Sequence, residues 1–496
     1  MSVAVASGAN PGGPADLPVI RNPSFLVLWT AQAVSQTIQN LTFFTLMVFV
    51  EERTRSSAHM SALVLSTVLP AVLFGVASGV LIDRWNKKWV LIATNALRAV
   101  AVLGYLFLDQ QPVLFYGLNF AFMTISQFFL PAEAAMIPRL VSQNRLISAN
   151  GLFNITFNLS QVLGFILLGP SLTKAFGTGP TLIGVSVAYV FCALILIRLP
   201  SDRGESLDRS GNFIRDVADE IMDGWRLLRG DVTISLAMVH LTVVTTLTLI
   251  LATLAPGFIS RELNLGANDT YLIFGPAGVG ILAGTVLLTR ITSKFRLLSI
   301  VNFGLVVFGL GMLLIAVVPA LERAIGGPLQ PGSDALTTTL IVVGITAVAM
   351  GFGLAFVNVT AQTILQERAP VDMRGRVFAI QLMFGSIASI LPLVFAGQLA
   401  DQFGVLLVLG IVGVSVLGVA WFSIRKTRSI RASVRTTRDT AAPPAAAPVE
   451  ATSATADPAG RSESSGLANA VEYQPGMVEP NGVAEHPAPD VSQPAQ

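Results

Sequence analysis

The stretch Gly79-Val80-Leu81-Ile82-Asp83-Arg84-Trp85-Asn86-Lys87-Lys88 switches within ten residues from apolar to densely charged. Residues 60–82 before it carry no Asp, Glu, Lys or Arg, and after Lys88 the next charged residue is Arg98. A hydrocarbon core about 30 Å thick is crossed by roughly 20 apolar residues of helix, so the stretch reads as the turn between two membrane spans. Working outward from it, the same alternation predicts spans over 24–50, 60–82, 89–108, 113–130, 147–173 and 178–199. After a polar interval it resumes over 233–257, 268–289, 297–320, 336–364, 377–400 and 405–424. The expectation is an all-α polytopic membrane protein with twelve transmembrane helices in two groups of six. A membrane barrel is excluded, because the runs lack period-two alternation.

Composition agrees. Of 496 residues, 53% are apolar and 12% charged, with a mean hydropathy of +0.68, whereas soluble domains carry about 25% charge. The single cysteine, Cys192, excludes an intramolecular disulfide and a Cys zinc site. Net charge is only +2, and Lys and Arg sit in short bursts between apolar runs rather than in one footprint, so no nucleic-acid partner is expected. The bursts orient the chain, since short cytoplasmic loops collect basic residues. With the N-terminus inside, only Arg53, Arg55, Lys174, Arg261 and Arg323 fall outside and Arg98 falls within a span. Both termini are thus expected in the cytoplasm, with the first helix a permanent span rather than a cleaved signal.

The organisation expected is a cytoplasmic segment 1–23, a six-helix half 24–199, a cytoplasmic linker 200–232, a second half 233–424 and a basic, then disordered cytoplasmic tail 425–496. In the linker, Phe213, Val217, Ile221, Trp225 and Leu228 recur at helical spacing opposite Arg215, Asp216, Asp219, Glu220 and Asp223. That pattern reads as an amphipathic surface helix or as a charged linker. The halves resemble each other: Val80, Leu81, Asp83, Arg84 and Lys88 align with Val286, Leu287, Thr289, Arg290 and Lys294, and Phe176-Gly177 aligns with Phe403-Gly404. A duplicated unit around a midplane site is the architecture of alternating-access carriers.

The Gly79–Lys88 stretch, in a chain of six plus six spans, resembles the loop after helix two of the major facilitator superfamily, G-x-x-x-D-R-x-G-R-K. Asn86 stands where the family has Gly, and its tolerance of the left-handed region predicts that the turn survives. Gly79 is expected to permit close helix approach, while Asp83 meets the positive end of a neighbouring helix and Arg84, Lys87 and Lys88 hold the cytoplasmic face. The resemblance implies that Asp83 gates against the start of helix eleven, where Arg374-Gly375-Arg376 stands. Gly169-Pro170 in helix five is similar to the Gly-Pro motif of superfamily antiporters, or else it only bends the helix. Within the family the chain looks most like the bacterial drug-efflux branch that includes macrolide and siderophore exporters. Pro131-Ala-Glu133-Ala-Ala-Met-Ile-Pro138 and Gly224-Trp225 carry that likeness.

Helices one, four, seven and ten line the path in carriers of this architecture. Gln32, Gln36, Gln39 and Thr42 share a face of helix one, Asn119 and Ser126 a face of helix four, Thr242, Thr245 and Thr246 helix seven, and Asn358 and Gln362 helix ten, with Asn154, Asn158 and Gln161 on helix five. Polar groups facing lipid are costly, so these faces look inward, towards a wet cavity or towards interhelical hydrogen bonds. Ionisable residues within spans are functional candidates: Glu133, which closes helix four beside Pro131; Arg98, either snorkelling to the cytoplasmic end or pairing with motif charges; and His240, either a coupling group or an ordinary hydrogen-bonded histidine.

The reading is a secondary transporter of the bacterial inner membrane, a monomer in the lipid bilayer that exports an amphipathic small molecule, with protons as the candidate coupling ion. It expects no cofactor, no metal, no catalytic residue and no ATP hydrolysis. The alternatives are an importer or uniporter of a neutral solute on the same fold, a membrane enzyme, for which the three His and one Cys offer no constellation, and a non-transporting scaffold.

Overall fold

The computed structural model describes residues 18–108, 111–200, 232–292, 294–326, 329–330, 332–368 and 374–440. The expected linker helix and most of the tail fall on residues 201–231 and 441–496, outside the described residues. Contacts divide the chain into Met1–Thr437, which holds the helical bundle, and Arg438–Gln496, described only at Arg438–Thr440.

The described residues form helices and no strand. Among the described residues, twelve helices are long and apolar enough to cross a membrane. The first half comprises α1 Pro23–Thr54, α2 Ser57–Arg84, α3 Lys87–Gly104, α4 Pro112–Leu140, α5 (Leu146–Gln161, Val162–Leu168 and Gly169–Phe176 in succession) and α6 Thr178–Leu196. The second comprises α7 Val232–Gly257, α8 Tyr271–Ile291, α9 Leu297–Gly326, α10 Asp334–Arg368, α11 Arg374–Phe403 and α12 Val405–Thr440. With an even number of spans, the start of α1 and the end of the α12 span share one end of the bundle, here the proximal end. The α1–α2, α5–α6, α7–α8 and α11–α12 connections lie at the distal end.

Local chemistry sets the helix starts. Asn22 caps α1, its Oδ1 accepting from Phe25 N at 3.1 Å, with Pro23 preset for the first turn. The same side chain donates from Nδ2 to Leu140 O at 2.7 Å, joining the proximal ends of α1 and α4. Asn86 has φ −68° and serves as the N-cap of α3, accepting from Trp89 N at 3.3 Å. The left-handed turn expected at Asn86 is therefore not used; capping is what its side chain supplies.

Within α5, Pro170 has no N–H to give to Ile166 O, and residues 162–168 relax into a π-helical segment closed by Gly169 N to Gly164 O. Gly164 and Gly169 let α1 come close: a Cβ on Gly169 would lie 2.8 Å from Phe44 Cγ, and one on Gly164 would lie 2.8 Å from Asn40 Cβ. In the second half α8 and α10 cross equally closely at Gly280, Gly284 and Gly351. Gly79, in contrast, has nothing among the described residues within 4 Å of a built Cβ, so no close approach is seen there among them. Large apolar side chains such as Val187, Phe191, Val286 and Ile345 stay exposed, as a face turned to lipid requires.

Candidate functional site

The proximal half of α5 carries Asn150, Asn154, Asn158 and Gln161 at helical spacing, all exposed. Asn154 and Asn158 donate only one turn back, to Asn150 O at 3.0 Å and Asn154 O at 2.8 Å. Amide groups on a spanning helix belong against water rather than hydrocarbon, which makes this exposed stripe a candidate lining of a proximal opening. The distal half of the same helix is packed instead. Phe165 meets Phe274 of α8 edge-on at 5.0 Å, and Ile166 lies 3.7 Å and 3.0 Å from where Cβ atoms on Gly275 and Gly278 would be.

The other polar faces divide. On α1, Gln36 and Gln39 are half-buried, Gln39 approaching Met123 Sδ at 3.9 Å, while Gln32 is buried with its Oε1 unpartnered. On α10, Gln362 donates to Asn358 Oδ1 at 3.1 Å, and both are half-buried. On α7, Thr245 returns its hydroxyl to Leu241 O at 3.0 Å and flanks Gly385 of α11. Asn119 is not a cavity residue. It is fully buried, accepts from Tyr105 OH at 3.0 Å, and donates to Ser66 Oγ at 2.8 Å and Thr67 Oγ1 at 3.0 Å, so its amide ties α4 to α2 and to the 3-10 turn Tyr105–Phe107 that follows α3.

Two of the three ionisable candidates, Arg98 and Glu133, are buried within the first half. Arg98 is 2% exposed and does not snorkel. Its Nε donates to Ser126 Oγ at 2.9 Å and Nη2 to Ser126 O at 3.3 Å, and the guanidinium lies 4.8 Å from the Phe129 ring and 5.8 Å from that of Tyr189. Glu133 does not end a helix: α4 runs through Pro131 to Leu140, leaving the carboxylate buried in the half with Oε1 unpartnered and with Arg98 acting on it electrostatically. Asn95 Oδ1 and Ser35 Oγ are likewise buried without partners. His240 stands apart, with Nε2 2.9 Å from Ser423 Oγ, joining α7 to α12 as an interhelical hydrogen bond.

Of the loop motif, the side chains of Asp83, Arg84, Arg374 and Arg376 lie outside the described residues. Lys87 is buried in the first turn of α3. Lys88 donates from Nζ to Leu199 O at 2.6 Å, placing a cation at the carbonyl end of α6. Pro170 and Gly169 are both buried at the α1–α5 crossing described above.

Sequence reasoning missed a set of charged contacts that joins the halves distally. Asp401, at the end of α11, accepts from Ser56 Oγ at 2.5 Å, Ser57 N at 2.6 Å and Ala58 N at 3.0 Å, filling donors that the start of α2 leaves open. Arg261, in the π-helical turn after α7, reaches Asp401 Oδ1 at 3.1 Å, Glu51 Oε1 of α1 at 3.6 Å and the Ser57 hydroxyl. Ser260 donates to Glu51 Oε1 at 2.5 Å. Lys174, at the end of α5, pairs with Asp269 before α8 at 3.0 Å. The offset of 227 that aligns Phe176 with Phe403 also aligns Lys174 with Asp401, but it pairs neither with the residue it contacts.

The sequence model of the Major Facilitator Superfamily matches residues 28–391. The chain is 27% identical over 400 residues to an MFS-type transporter of Bacillus subtilis (strain 168), YfiS, covering 78% of this chain and 89% of that one. It is 24% identical over 393 residues to macrolide efflux protein A of Streptococcus pyogenes, covering 77% and 90%. The crystal structure of the nucleoside transporter NupG superposes with a TM-score of 0.63 at 12% identity, covering 82% of this chain and 98% of that one. The twelve-helix bundle and the match across both halves agree, and this chain belongs to the Major Facilitator Superfamily of membrane transporters.

Proposed function

We propose that the chain exports an amphipathic small molecule across the bacterial inner membrane by alternating access, with both termini in the cytoplasm and the proximal opening facing it. The observation that carries the direction is the likeness to macrolide efflux protein A over three-quarters of the chain. The half-buried amides Gln36, Gln39, Asn358 and Gln362 supply uncharged donors and acceptors beside apolar side chains, which suits a bulky, partly polar substrate. Protons drive the cycle, and Glu133 is the coupling group: a buried carboxylate with an unpartnered oxygen next to a fixed cation changes charge between conformations, whereas Arg98 stays protonated.

A uniporter of a neutral solute is the competing reading, favoured by the uncharged cavity faces. One experiment addresses both. Accumulation of a macrolide probe is measured in a strain lacking its own pumps, with the wild type or Glu133→Gln, with and without a proton uncoupler. Lower accumulation that the uncoupler reverses, and that Glu133→Gln fails to produce, supports proton-driven export. Persistence of export in the uncoupler removes the coupling, and full export by Glu133→Gln moves it to another residue.

A further inference from the structure

At the distal end a single guanidinium serves two carboxylates from different halves. We propose that Arg261 is the latch of the distal gate: seated over Gly257, it holds Glu51 of the first half and Asp401 of the second, and passage of substrate at that end requires these contacts to part.

Three observations converge. First, the contacts cross between the halves, so any rocking that separates them distally must break Ser260 to Glu51, Arg261 to Glu51 and Asp401 to the start of α2 together. The Ser260–Glu51 and Asp401–Ser57 contacts are charge-assisted hydrogen bonds, the stronger kind, and the Arg261–Glu51 contact is an ion pair. Second, the latch is incompletely satisfied. Glu51 is 1% exposed, yet its Oε2 has no hydrogen-bond partner, and Arg261 Nε, 3.6 Å from Oε1, stands too far off to donate a hydrogen bond to it. Buried unpaired groups raise the energy of the closed state, which keeps it within reach of opening. Third, the seat is shaped for this side chain. A Cβ on Gly257 would collide with the guanidinium, lying 2.9 Å from Cζ, and the π-helical turn that follows turns Arg261 back across it. The Lys174–Asp269 pair lies at the same end, but its lysine is 64% exposed, and water screens such a pair.

The inference rests on alternating access alone, not on substrate or direction, so its test needs neither. Val48 on α1 is 1% exposed and packs with Phe44 and with Ala267 of the other half. In a Cys192→Ser background, Val48→Cys is introduced and its reaction with a polar maleimide is timed in nanodiscs, where both faces are accessible. Gly257→Ala displaces the guanidinium while leaving every charge in place, and together with Arg261→Gln it should raise the labelling rate about tenfold, the scale of one lost charge-assisted bond. Lys174→Ala should change it less than about twofold. Should Arg261→Gln not accumulate because it strands Glu51, Glu51→Gln with Arg261→Gln takes its place with the same expected rise. Unchanged labelling in both Gly257→Ala and the Arg261 variant overturns the latch, whatever the macrolide measurement shows.

Discussion

Arg98 Nε donates to the Ser126 hydroxyl at 2.9 Å, a bond between α3 and α4 made entirely inside the first half. A cation so placed cannot reach water, so its cost must be offset locally. Ser126 supplies two acceptors, Phe129 and Tyr189 turn their ring faces to it, and Glu133 supplies the opposite charge. The pair therefore serves both folding and the proposed coupling, and the two roles separate experimentally.

Arg98 and Glu133 are both buried and act on each other electrostatically, and losing one of two such groups costs up to about 3 to 5 kcal/mol. Arg98→Met should sharply lower the temperature at which half of the protein stays monodisperse in detergent. Adding Glu133→Gln removes the stranded carboxylate and should recover most of that loss. A double variant no more heat-resistant than Arg98→Met would show that the two groups are not coupled.

Glycines give a sharper contrast. A methyl group on Gly351 would collide with Ala277 O and forces α8 away from α10, whereas one on Gly79 meets nothing within 4 Å among the described residues. Overpacking of this kind costs typically ~1 to 3 kcal/mol. Gly351→Ala should reduce the folded yield several-fold, and Gly79→Ala should leave yield and melting unchanged although it alters the loop motif. Equal yields for the two variants would contradict the packing described at both sites.

Orientation is tested directly. Reporter fusions placed after Arg84, Arg226 and Arg428 should all report cytoplasm if the basic bursts set the topology. A periplasmic signal from any one of them would overturn the twelve-span topology, and from all three would place the proximal end outside the cytoplasm.

The span pattern was legible because twenty-residue apolar runs separated by charge have few physical alternatives. The twelve helices begin and end within a few residues of the expected bounds, save where a helix continues past its apolar run, as α4 does through Pro131 to Leu140 and α12 does to Thr440. Site residues were less legible. Polarity at helical spacing marks an inward face but not what meets it, so Asn119 and Asn158 look alike in sequence, yet one is buried and bonds across to α2 and Tyr105 and the other is exposed. The distal contacts were out of reach for another reason. Glu51, Arg261 and Asp401 are far apart in sequence, and each taken singly is an ordinary charged residue at a helix end.

The α5 stripe carries the last prediction, because it bears on which end of this conformation is open. Asn154 and Asn158 are exposed along the proximal half, while Phe165 and Ile166, only a few residues on, are covered by α8. Cysteines replacing Asn154 and Asn158 in a Cys192→Ser background should react with an impermeant maleimide in inside-out vesicles and stay unlabelled in intact cells. Saturating substrate should slow that reaction if the stripe borders the path, since a ligand filling the cavity excludes the reagent. Asn158→Leu should then lower transport by about tenfold, through an amide lost from a wet wall, with little change in melting because the wild-type side chain bonds only within its own helix. Labelling of both positions from the outside in resting cells would mean that the stripe faces the opposite compartment. Labelling unaffected by substrate, with Asn158→Leu fully active, would place the stripe on water but away from the path.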